Sequence, residues 1–384
     1  MSTILPTMRK LVFLFSFTAW TFVQAQYYPP KNEWESKDPK EVGFNADRLQ
    51  EAVDFAMANE YSGEKDLRLA ILKSFSREPD HKLLGPTKKR GGPAGLVIKD
   101  GYIIAQWGDV ERVDMTFSVT KSYLSTMFGL ALDDGLIGSV KERVEEYVWD
   151  GTFRGEHNSQ IVWEQLLHQT SDWSGTLFGL NDWADRPDRT MEYDDWKYRA
   201  LQDPGTKFKY NDVRVNLLSY SLLNVWRRPL PQILKERIMD PIGATPTWRW
   251  YGYDGSWITL DGQQMQVVSG GGHHGGGVFI NSLDHARFGL LFARNGKWGK
   301  QQLISQDWVQ AVRTPAPAYE SYGYMWWLNQ GPRAWEGLPD HLYYAAGFGG
   351  NFIVVDQEED MVIVTRWLEP SKIGELVGLI YKGL

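Results

Sequence analysis

Two groups of predicted strands lie far apart in this chain, with a long helical block between them. Residues 95–107 are predicted to form a hairpin that turns at Asp100-Gly101, because an Asp-Gly pair between apolar residues is typical of a two-residue turn. Residues 118–240 are mostly helical in pattern, and late strands are predicted at 322–328, 352–356 and 361–367. We therefore predict an α+β fold, in which an antiparallel sheet carries a large, mainly helical subdomain inserted between its strands.

Helices are predicted near both ends of the chain. Asn45 is a suitable N-cap for a helix that contains Leu49 and Val53, because an asparagine side chain accepts hydrogen bonds from the amides of a first turn. Pro370-Ser371 begins another helix, which runs to Tyr381. We expect these N- and C-terminal helices to flank the sheet.

Long connections and one further helix complete the predicted organisation. Residues 62–94 are charged and contain Gly91-Gly92-Pro93, so an irregular connection is predicted there. Loops rich in glycine and tryptophan are predicted after residue 240, and they include a glycine loop at 269–277. A helix is predicted to begin at Ser282, just ahead of an apolar helical pattern.

The first residues have the pattern of an export signal. Arg9-Lys10 precedes a mostly apolar run at 11–23, and Ala25 ends a Val-Gln-Ala cleavage pattern. We therefore predict a signal peptide at 1–25, an N-terminal lead at 26–44 and one domain at 45–384, with its helical subdomain at about 118–240. A retained membrane anchor is the alternative, but the apolar run is short for a span. The mature protein is expected to be periplasmic or secreted, with no stable membrane anchor.

Composition narrows the classes of partner and cofactor. The formal net charge is −7, from 41 Lys and Arg against 48 Asp and Glu, which gives no basic surface for nucleic acid. The chain has no cysteine, and its seven histidines include the adjacent pair His273-His274 without a zinc-binding spacing. We therefore expect a small-molecule partner and no nucleic acid, metal or cofactor.

One short motif carries candidate chemistry. Ser118-Val119-Thr120-Lys121 stands ahead of an apolar helical pattern, and a helix starting near Ser118 would place Ser118 and Lys121 within reach of each other. A lysine can take the proton of a serine hydroxyl and make the oxygen a nucleophile. A helix cap with a solvated Lys121 is the other interpretation. A second match, Ser62-Gly63-Glu64-Lys65, has no apolar helix behind it and is predicted to be a loop.

The Ser118 motif is the first of several segments that resemble, in order, those of one enzyme superfamily. The segments are 116–122, 166–171, 204–212, 276–288 and 345–350. The second is similar to the family's LLxHTSG segment, and the third is similar to its PGTxFxYSN segment. Over residues 40–384 the chain resembles the serine β-lactamase and penicillin-binding-protein superfamily, in its class C-like branch of esterases, D-aminopeptidases and 6-aminohexanoate-oligomer hydrolases. The resemblance implies the β-lactamase/transpeptidase-like version of the predicted fold.

The resemblance also implies a role for each matching residue. Ser118 would be the acylated nucleophile, Lys121 would hold or accept its proton, and Tyr210 would relay a proton to the leaving group. The backbone amides of Ser118 and Phe348 would form the oxyanion hole. Three supporting or substrate-binding residues are expected beside them, namely Ala346 and Gly347 on the edge strand and His274 in the glycine loop. Packing within the loop or exposure to solvent is the alternative for His274, and core packing is the alternative for Tyr210.

Two positions depart from the family pattern. Asp212 stands where the third motif usually has an asparagine, and a carboxylate there could pair with Lys121 and raise the lysine pKa. A structural turn residue is the other interpretation of Asp212. Ala345 stands where the family often has lysine or histidine, so a cation that binds a substrate carboxylate is missing unless a distant arginine supplies it.

These observations favour an exported serine hydrolase that forms an acyl-enzyme at Ser118 on a small ester, amide or peptide-like substrate. One rival hypothesis is a penicillin-binding or peptidoglycan-sensing protein that is acylated without efficient turnover. Another is an inactive scaffold that binds a glycan or peptide. The shape of the pocket is expected to depend on loops 62–94, 173–200 and 250–275. β-Lactam hydrolysis is expected to be poor compared with simple ester hydrolysis, because Ala345 offers no charge.

Overall fold

The computed structural model describes residues 26–384 apart from Arg189, so the predicted signal peptide lies outside the described residues. In these residues the α-helices, numbered α1 to α10 in chain order, are Ala46–Ala58, Leu67–Phe75, Thr120–Asp133, Trp163–Leu167, Tyr193–Lys197, Asp212–Trp226, Leu230–Leu234, Ser282–Ala293, Gln306–Ala311 and Ile373–Tyr381. The strands, β1 to β14, are Ala94–Lys99, Tyr102–Trp107, Asp114–Met115, Thr176–Leu177, Leu180–Asn181, Arg249–Leu260, Gln263–Val268, Gly277–Ile280, Lys297–Trp298, Gln301–Gln302, Trp327–Leu328, Tyr343–Gly347, Asn351–Asp356 and Met361–Arg366.

A six-stranded antiparallel sheet joins the two distant groups of strands. Its order is β11-β12-β13-β14-β1-β2, and β1 pairs with β14 from Ala94 opposite Arg366 to Lys99 opposite Met361. The β1–β2 hairpin turns at Asp100 and Gly101, which have φ angles of 53° and 87°. Positive φ at both turn residues matches the twist of the flanking strands. The predicted hairpin and the predicted antiparallel sheet are both confirmed.

Helices cover both faces of this sheet. Successive residues of a strand point to opposite faces, so each strand contributes side chains to both layers of helices. Phe352, Val354 and Ile363 pack in one apolar cluster with Leu376 and Val377 of α10, and that cluster also takes in residues of α1. The terminal helices therefore flank the sheet, as predicted. On the other face, neighbouring residues of β13 and β14 pack in the main core with α8. Burial of one such side chain stabilises the fold by about 1.5–3 kcal/mol.

The block between the strand groups contains α3 to α7, joined by long loops and the short β4–β5 pair. Two of its helices, α3 and α6, are buried along nearly all of their length. A helix that is buried all round belongs to the core and not to a surface layer. The two buried helices contact each other, and Lys121 near the start of one meets Asp212 at the start of the other.

The structure differs from the sequence predictions in three connections. Residues 62–94 are not wholly irregular, because Asp66 caps the short helix α2. Residues 249–268 form the long strands β6 and β7 where loops were predicted, and they turn at Asp261-Gly262. The late strand predicted at 322–328 is regular only at β11, because Met325 has a φ of 62° and interrupts it.

The N-terminal lead lies across the domain. The ring of Tyr27 stacks on that of Tyr102 at a centroid distance of 4.1 Å. The buried guanidinium of Arg287 donates hydrogen bonds to the carbonyl oxygens of Pro29 and Pro30, at 2.9 and 2.7 Å. These contacts fasten the lead to α8. Within residues 26–384, Arg189 aside, no helix is both long enough and apolar enough to span a bilayer.

Candidate active site

Ser118 lies in a tight turn between a strand and a buried helix. Strand β3 ends at Met115, residues Phe117–Val119 form a 3-10 turn, and α3 begins at Thr120. Phe117 has a φ of 51°, an unfavourable conformation for a residue with a Cβ. Thr116, the residue before the turn, is held by a hydrogen bond of 2.8 Å between its hydroxyl and Nε2 of His285. Ser118 therefore precedes the regular helix and does not begin it.

Lys121 is buried beside Ser118. Its ammonium group donates a hydrogen bond of 3.0 Å to the Ser118 Oγ, which in turn donates a long bond of 3.5 Å to the carbonyl of Gly271. Lys121 is only 1% exposed, so the interpretation as a solvated lysine is wrong. The serine and the lysine have the contact that proton transfer between them requires.

Asp212 is the buried partner of Lys121. Its Oδ1 forms an ion pair with the lysine ammonium, and its Oδ2 accepts a bond of 3.1 Å from Arg186. Burial by itself raises a carboxyl pKa, but the charges of Lys121 and Arg186 hold the pKa of Asp212 well below its usual range. Of the two interpretations of Asp212, the structure shows the pairing with Lys121. The preceding residue, Asn211, is the N-cap of α6.

Tyr210 lies directly over this ion pair. The Lys121 ammonium is 4.6 Å from the centroid of the Tyr210 ring, and the Arg186 guanidinium is 5.2 Å from it. On its other side the ring stacks with Trp327 at 5.6 Å. The Tyr210 hydroxyl has no hydrogen-bond partner among the described residues, and Tyr210 lines the same cleft as Ser118. It is therefore available to a bound substrate.

The end of β12 packs against the nucleophile turn. A side chain at Gly347 would overlap the carbonyl of Thr116 and would stand 3.3 Å from the Ser118 amide nitrogen. Neither the Ser118 nor the Phe348 amide donates a hydrogen bond to an acceptor in the described part of the chain. Two unpaired amides beside a serine are what an oxyanion hole needs. Ala346 also lines the cleft.

Ala345 does not face the cleft. It alternates with Ala346 along β12, is 1% exposed and packs in the main core. The Ala345 methyl therefore packs in the core, and the poor β-lactam hydrolysis expected from its lack of charge stays a prediction.

The cleft in front of Ser118 has a volume of about 640 Å³, and eight of its 17 lining residues are aromatic. Its cations are Arg186 and Arg333, and the Arg333 guanidinium lies 4.3 Å from the centroid of the Trp327 ring. A substrate carboxylate could bind either arginine. The aromatic residues of the lining are Tyr61, Phe75, Tyr210, Trp327, Trp335, Tyr344, Phe348 and Phe352.

The glycine loop does not bring His274 to the cleft. Nδ1 of His274 bonds the carbonyl oxygen of Lys82 at 3.0 Å, and the residue is 3% exposed. Burial, together with the neighbouring His273, lowers the pKa of His274 to about 4. The alternative of packing within the loop therefore describes His274. The loop contributes Gly271 instead, which lies against Lys121 and Asp212.

A second group of polar residues lies behind the ion pair. His273 bonds Glu78 at 2.6 Å and Arg186 at 2.8 Å, and Arg186 also bonds Asp185 at 2.6 Å. Glu78, Asp185 and His273 offer ligand atoms within 4.8 Å of one another, which is a geometry that could hold a metal ion. The guanidinium of Arg186 already supplies a positive charge to this group.

Sequence reasoning missed Arg186, Asp185, Glu78 and Gly271. The only sequence signal for them was Asp212. A carboxylate next to a lysine, where the family has an amide, adds a negative charge that a further cation would have to balance. That signal does not say which of the 41 Lys and Arg residues supplies it.

Several known proteins are similar to this chain in sequence or in fold. A relative from Escherichia coli K12, with the name "Putative D-alanyl-D-alanine carboxypeptidase", is 24% identical over 93% of this chain and 89% of its own length. A penicillin-binding-protein homologue from Caulobacter crescentus has a TM-score of 0.57 at 14% identity and covers 91% of this chain and 99% of its own. A family VIII carboxylesterase has a TM-score of 0.57 at 17% identity and covers 77% of this chain and 93% of its own.

The solved structures show the β-lactamase/transpeptidase-like fold. The family model described as Beta-lactamase matches residues 87–366, which is well over half of the chain and includes Ser118, Lys121, Tyr210, Asp212 and Phe348. The chain belongs to the Beta-lactamase family.

Proposed function

We propose that this protein is a serine hydrolase that forms an acyl-enzyme at Ser118. The observation that carries the proposal is the 3.0 Å contact between the buried Lys121 Nζ and the Ser118 Oγ, beside an open cleft that Ser118 lines. A serine without a neighbouring base is a weak nucleophile. The contact gives Ser118 a partner for its proton.

The proposed reaction has two stages. Neutral Lys121 takes the hydroxyl proton while the Ser118 Oγ attacks the substrate carbonyl carbon, and the amides of Ser118 and Phe348 bind the resulting oxyanion. The bond to the leaving group breaks as that group receives a proton by way of Tyr210. A water molecule then attacks the acyl-enzyme, gives its proton back through the same groups, and releases the carboxylic acid and the free serine.

The proposed substrate is a small ester or amide with an apolar acyl group. Eight of the 17 residues that line the cleft are aromatic, among them Phe75, Trp327 and Phe348. Such a lining favours apolar groups, whereas its few polar groups orient the substrate.

A specific observation favours a second candidate, hydrolysis at the C-terminus of a peptide. Arg186 and Arg333 both line the cleft, and a guanidinium binds a terminal carboxylate in a two-pronged contact. The relative from Escherichia coli carries the name of a D-alanyl-D-alanine carboxypeptidase. Turnover of D-amino-acid peptides and of p-nitrophenyl esters, measured side by side, separates the two candidates.

Covalent labelling tests the proposal itself. A fluorescent fluorophosphonate should label the unmodified protein, and Ser118→Ala should abolish the labelling and reduce ester turnover by at least about a thousandfold. Ser62→Ala is the matched control, because Ser62 belongs to the second Ser-x-x-Lys match and bonds Glu369 on the surface at 3.0 Å. Undiminished labelling of the Ser118→Ala protein would contradict the assignment.

Labelling also separates the rival hypotheses. An inactive scaffold would not be labelled. A penicillin-binding or sensing protein would be labelled but would not turn over an ester in the steady state.

A further inference from the structure

The carboxylate of Asp212 is shared between two cations. Its Oδ1 contacts the Lys121 ammonium, whereas its Oδ2 accepts the bond of 3.1 Å from Arg186. Asp212 is 1% exposed, and Arg186 is 28% exposed on the cleft side. Both cations also face the ring of Tyr210.

A buried carboxylate beside Lys121 creates a problem for catalysis. A base must be neutral before it accepts a proton, but an adjacent negative charge stabilises the ammonium form of a lysine. Water screens this attraction poorly inside a protein. Without a compensating cation, the charge of Asp212 would favour the ammonium form of Lys121.

Arg186 offsets that negative charge. The Asp212 carboxylate and the Arg186 guanidinium together carry no net charge, as an asparagine amide carries none, and Asp212 still presents an acceptor oxygen to the lysine. Although burial opposes its charge, Asp185 and Asp212 raise the pKa of Arg186, so the guanidinium stays protonated.

We infer that Arg186 is a positioning residue that neutralises Asp212 and thereby lets Lys121 act as the base for Ser118. The inference rests on the proposed function, because it assumes that Lys121 accepts the serine proton. It assigns a role to an arginine of loop 173–200 that the sequence motifs do not include.

The surroundings hold Arg186 in this position. Asp185 and His273 bond its guanidinium, its backbone carbonyl accepts a bond from Lys209, and its φ is 47°. The ionisable groups that face the Asp212–Arg186 pair from the packed elements are Lys121, Asp185, Glu78, His273, His274, Lys209, Tyr210, Tyr253 and Tyr322. Removing the charges of Asp212 and Arg186 together leaves the net charge of this group unchanged.

A double-mutant cycle tests the inference. The rate of fluorophosphonate labelling is measured against pH for the unmodified protein, Arg186→Met, Asp212→Asn and the double variant. Arg186→Met should move the acid limb of the profile up by about one pH unit or more, because Asp212 then favours the ammonium form of Lys121. Asp212→Asn should move it down. The double variant should return to within about half a unit of the unmodified protein.

Two further variants keep the test decisive. Arg333→Met removes another cleft cation, one that lies over Trp327, and should leave the acid limb in place. Arg186→Lys keeps the charge and should move the limb less than Arg186→Met does. Thermal unfolding shows whether Arg186→Met is folded. If it is not, the downward shift of the acid limb in Asp212→Asn and its small shift in Arg186→Lys still test the inference.

The outcomes are distinguishable. Acid limbs that coincide in all variants, or a double variant shifted as far as Arg186→Met, would overturn the inference alone. The second result would mean that Arg186 acts on the probe and not on Asp212. No labelling of the unmodified protein would overturn the proposed function and the inference with it.

Discussion

Gly271 leaves no space beside the buried ion pair. A Cβ at this position would overlap the Asp212 carboxylate and the Lys121 ammonium. A glycine is required here because the backbone of the glycine loop covers the pair directly.

Gly271→Ala should therefore push Lys121 away from Ser118. We expect a loss of at least about a hundredfold in labelling rate, because a displacement of about 1 Å from the productive geometry has an effect of this size. Gly255→Ala is the control, since no atom lies within 4 Å of a Cβ built there, and it should label like the unmodified protein. Normal labelling of Gly271→Ala would show that the pair can shift without consequence.

Sequence reasoning at this scale found the residues with a motif and missed those without one. Ser118 and Lys121 were predicted because an apolar helix follows them, and the structure places them in contact. Their catalytic roles, and that of Tyr210, stay predictions. Arg186 lies in a loop with no periodic pattern, so its approach to Asp212 depends on the path of the loop and could not be predicted.

Among the elements, strand β12 contributes some side chains to the cleft and others to the core. Ala346 and Gly347 line the cleft, whereas the residue before them, Ala345, packs in the main core. One position along a strand thus separates a cleft side chain from a core side chain.

A pair of lysine substitutions tests this register. Ala345→Lys should destabilise the fold by about 3 kcal/mol or more, because it buries an ammonium group in an apolar core. Ala346→Lys should fold normally and should improve penicillin acylation relative to p-nitrophenyl ester acylation. Thermal unfolding and the two acylation rates measure both effects. Equal stability of the two variants would contradict the register of β12.

Elements were predictable where a local signal exists. The Asp100-Gly101 turn, the Asn45 cap and the helix at Ser282 all agree with the structure. The β6–β7 hairpin was missed although Asp261-Gly262 has the same turn signal, because the tryptophans and glycines around it obscure the alternation of the strands. Helix α2 was missed because it is short and lies in a charged stretch.

The stability of the whole molecule depends on buried contacts between segments that are distant in the sequence. Several of the buried side chains are neutral histidines. Burial lowers the pKa of His168 to about 4 and that of His274 to about 4, and it holds the pKa of His285 well below its usual value. His285 bonds Thr116 and Tyr123, so protonation would also disturb the base of the nucleophile turn.

The sign of the pH dependence follows from these directions. In the unfolded chain a histidine takes up a proton below about pH 6.5, whereas these buried histidines stay neutral until about pH 4 or lower. The unfolded state therefore binds more protons, and the free energy of unfolding falls as the pH falls between these values. Each histidine contributes about 1.4 kcal/mol per pH unit near the middle of this window.

We therefore expect a pronounced loss of stability between pH 6.5 and pH 5. His168 and His274 together give a slope of about 2 kcal/mol per pH unit near pH 5, and His285 acts in the same direction; this is large against a typical total of about 5–15 kcal/mol. Urea unfolding at pH 7.5, 6.5, 5.5 and 5.0 measures it. His168→Gln places its amide nitrogen near the position of the imidazole Nε2 that bonds the Thr314 carbonyl, and it should reduce the slope by about 1 kcal/mol per pH unit. Equal urea midpoints at pH 7.5 and 5.0 would show that these histidines are protonated in the folded protein.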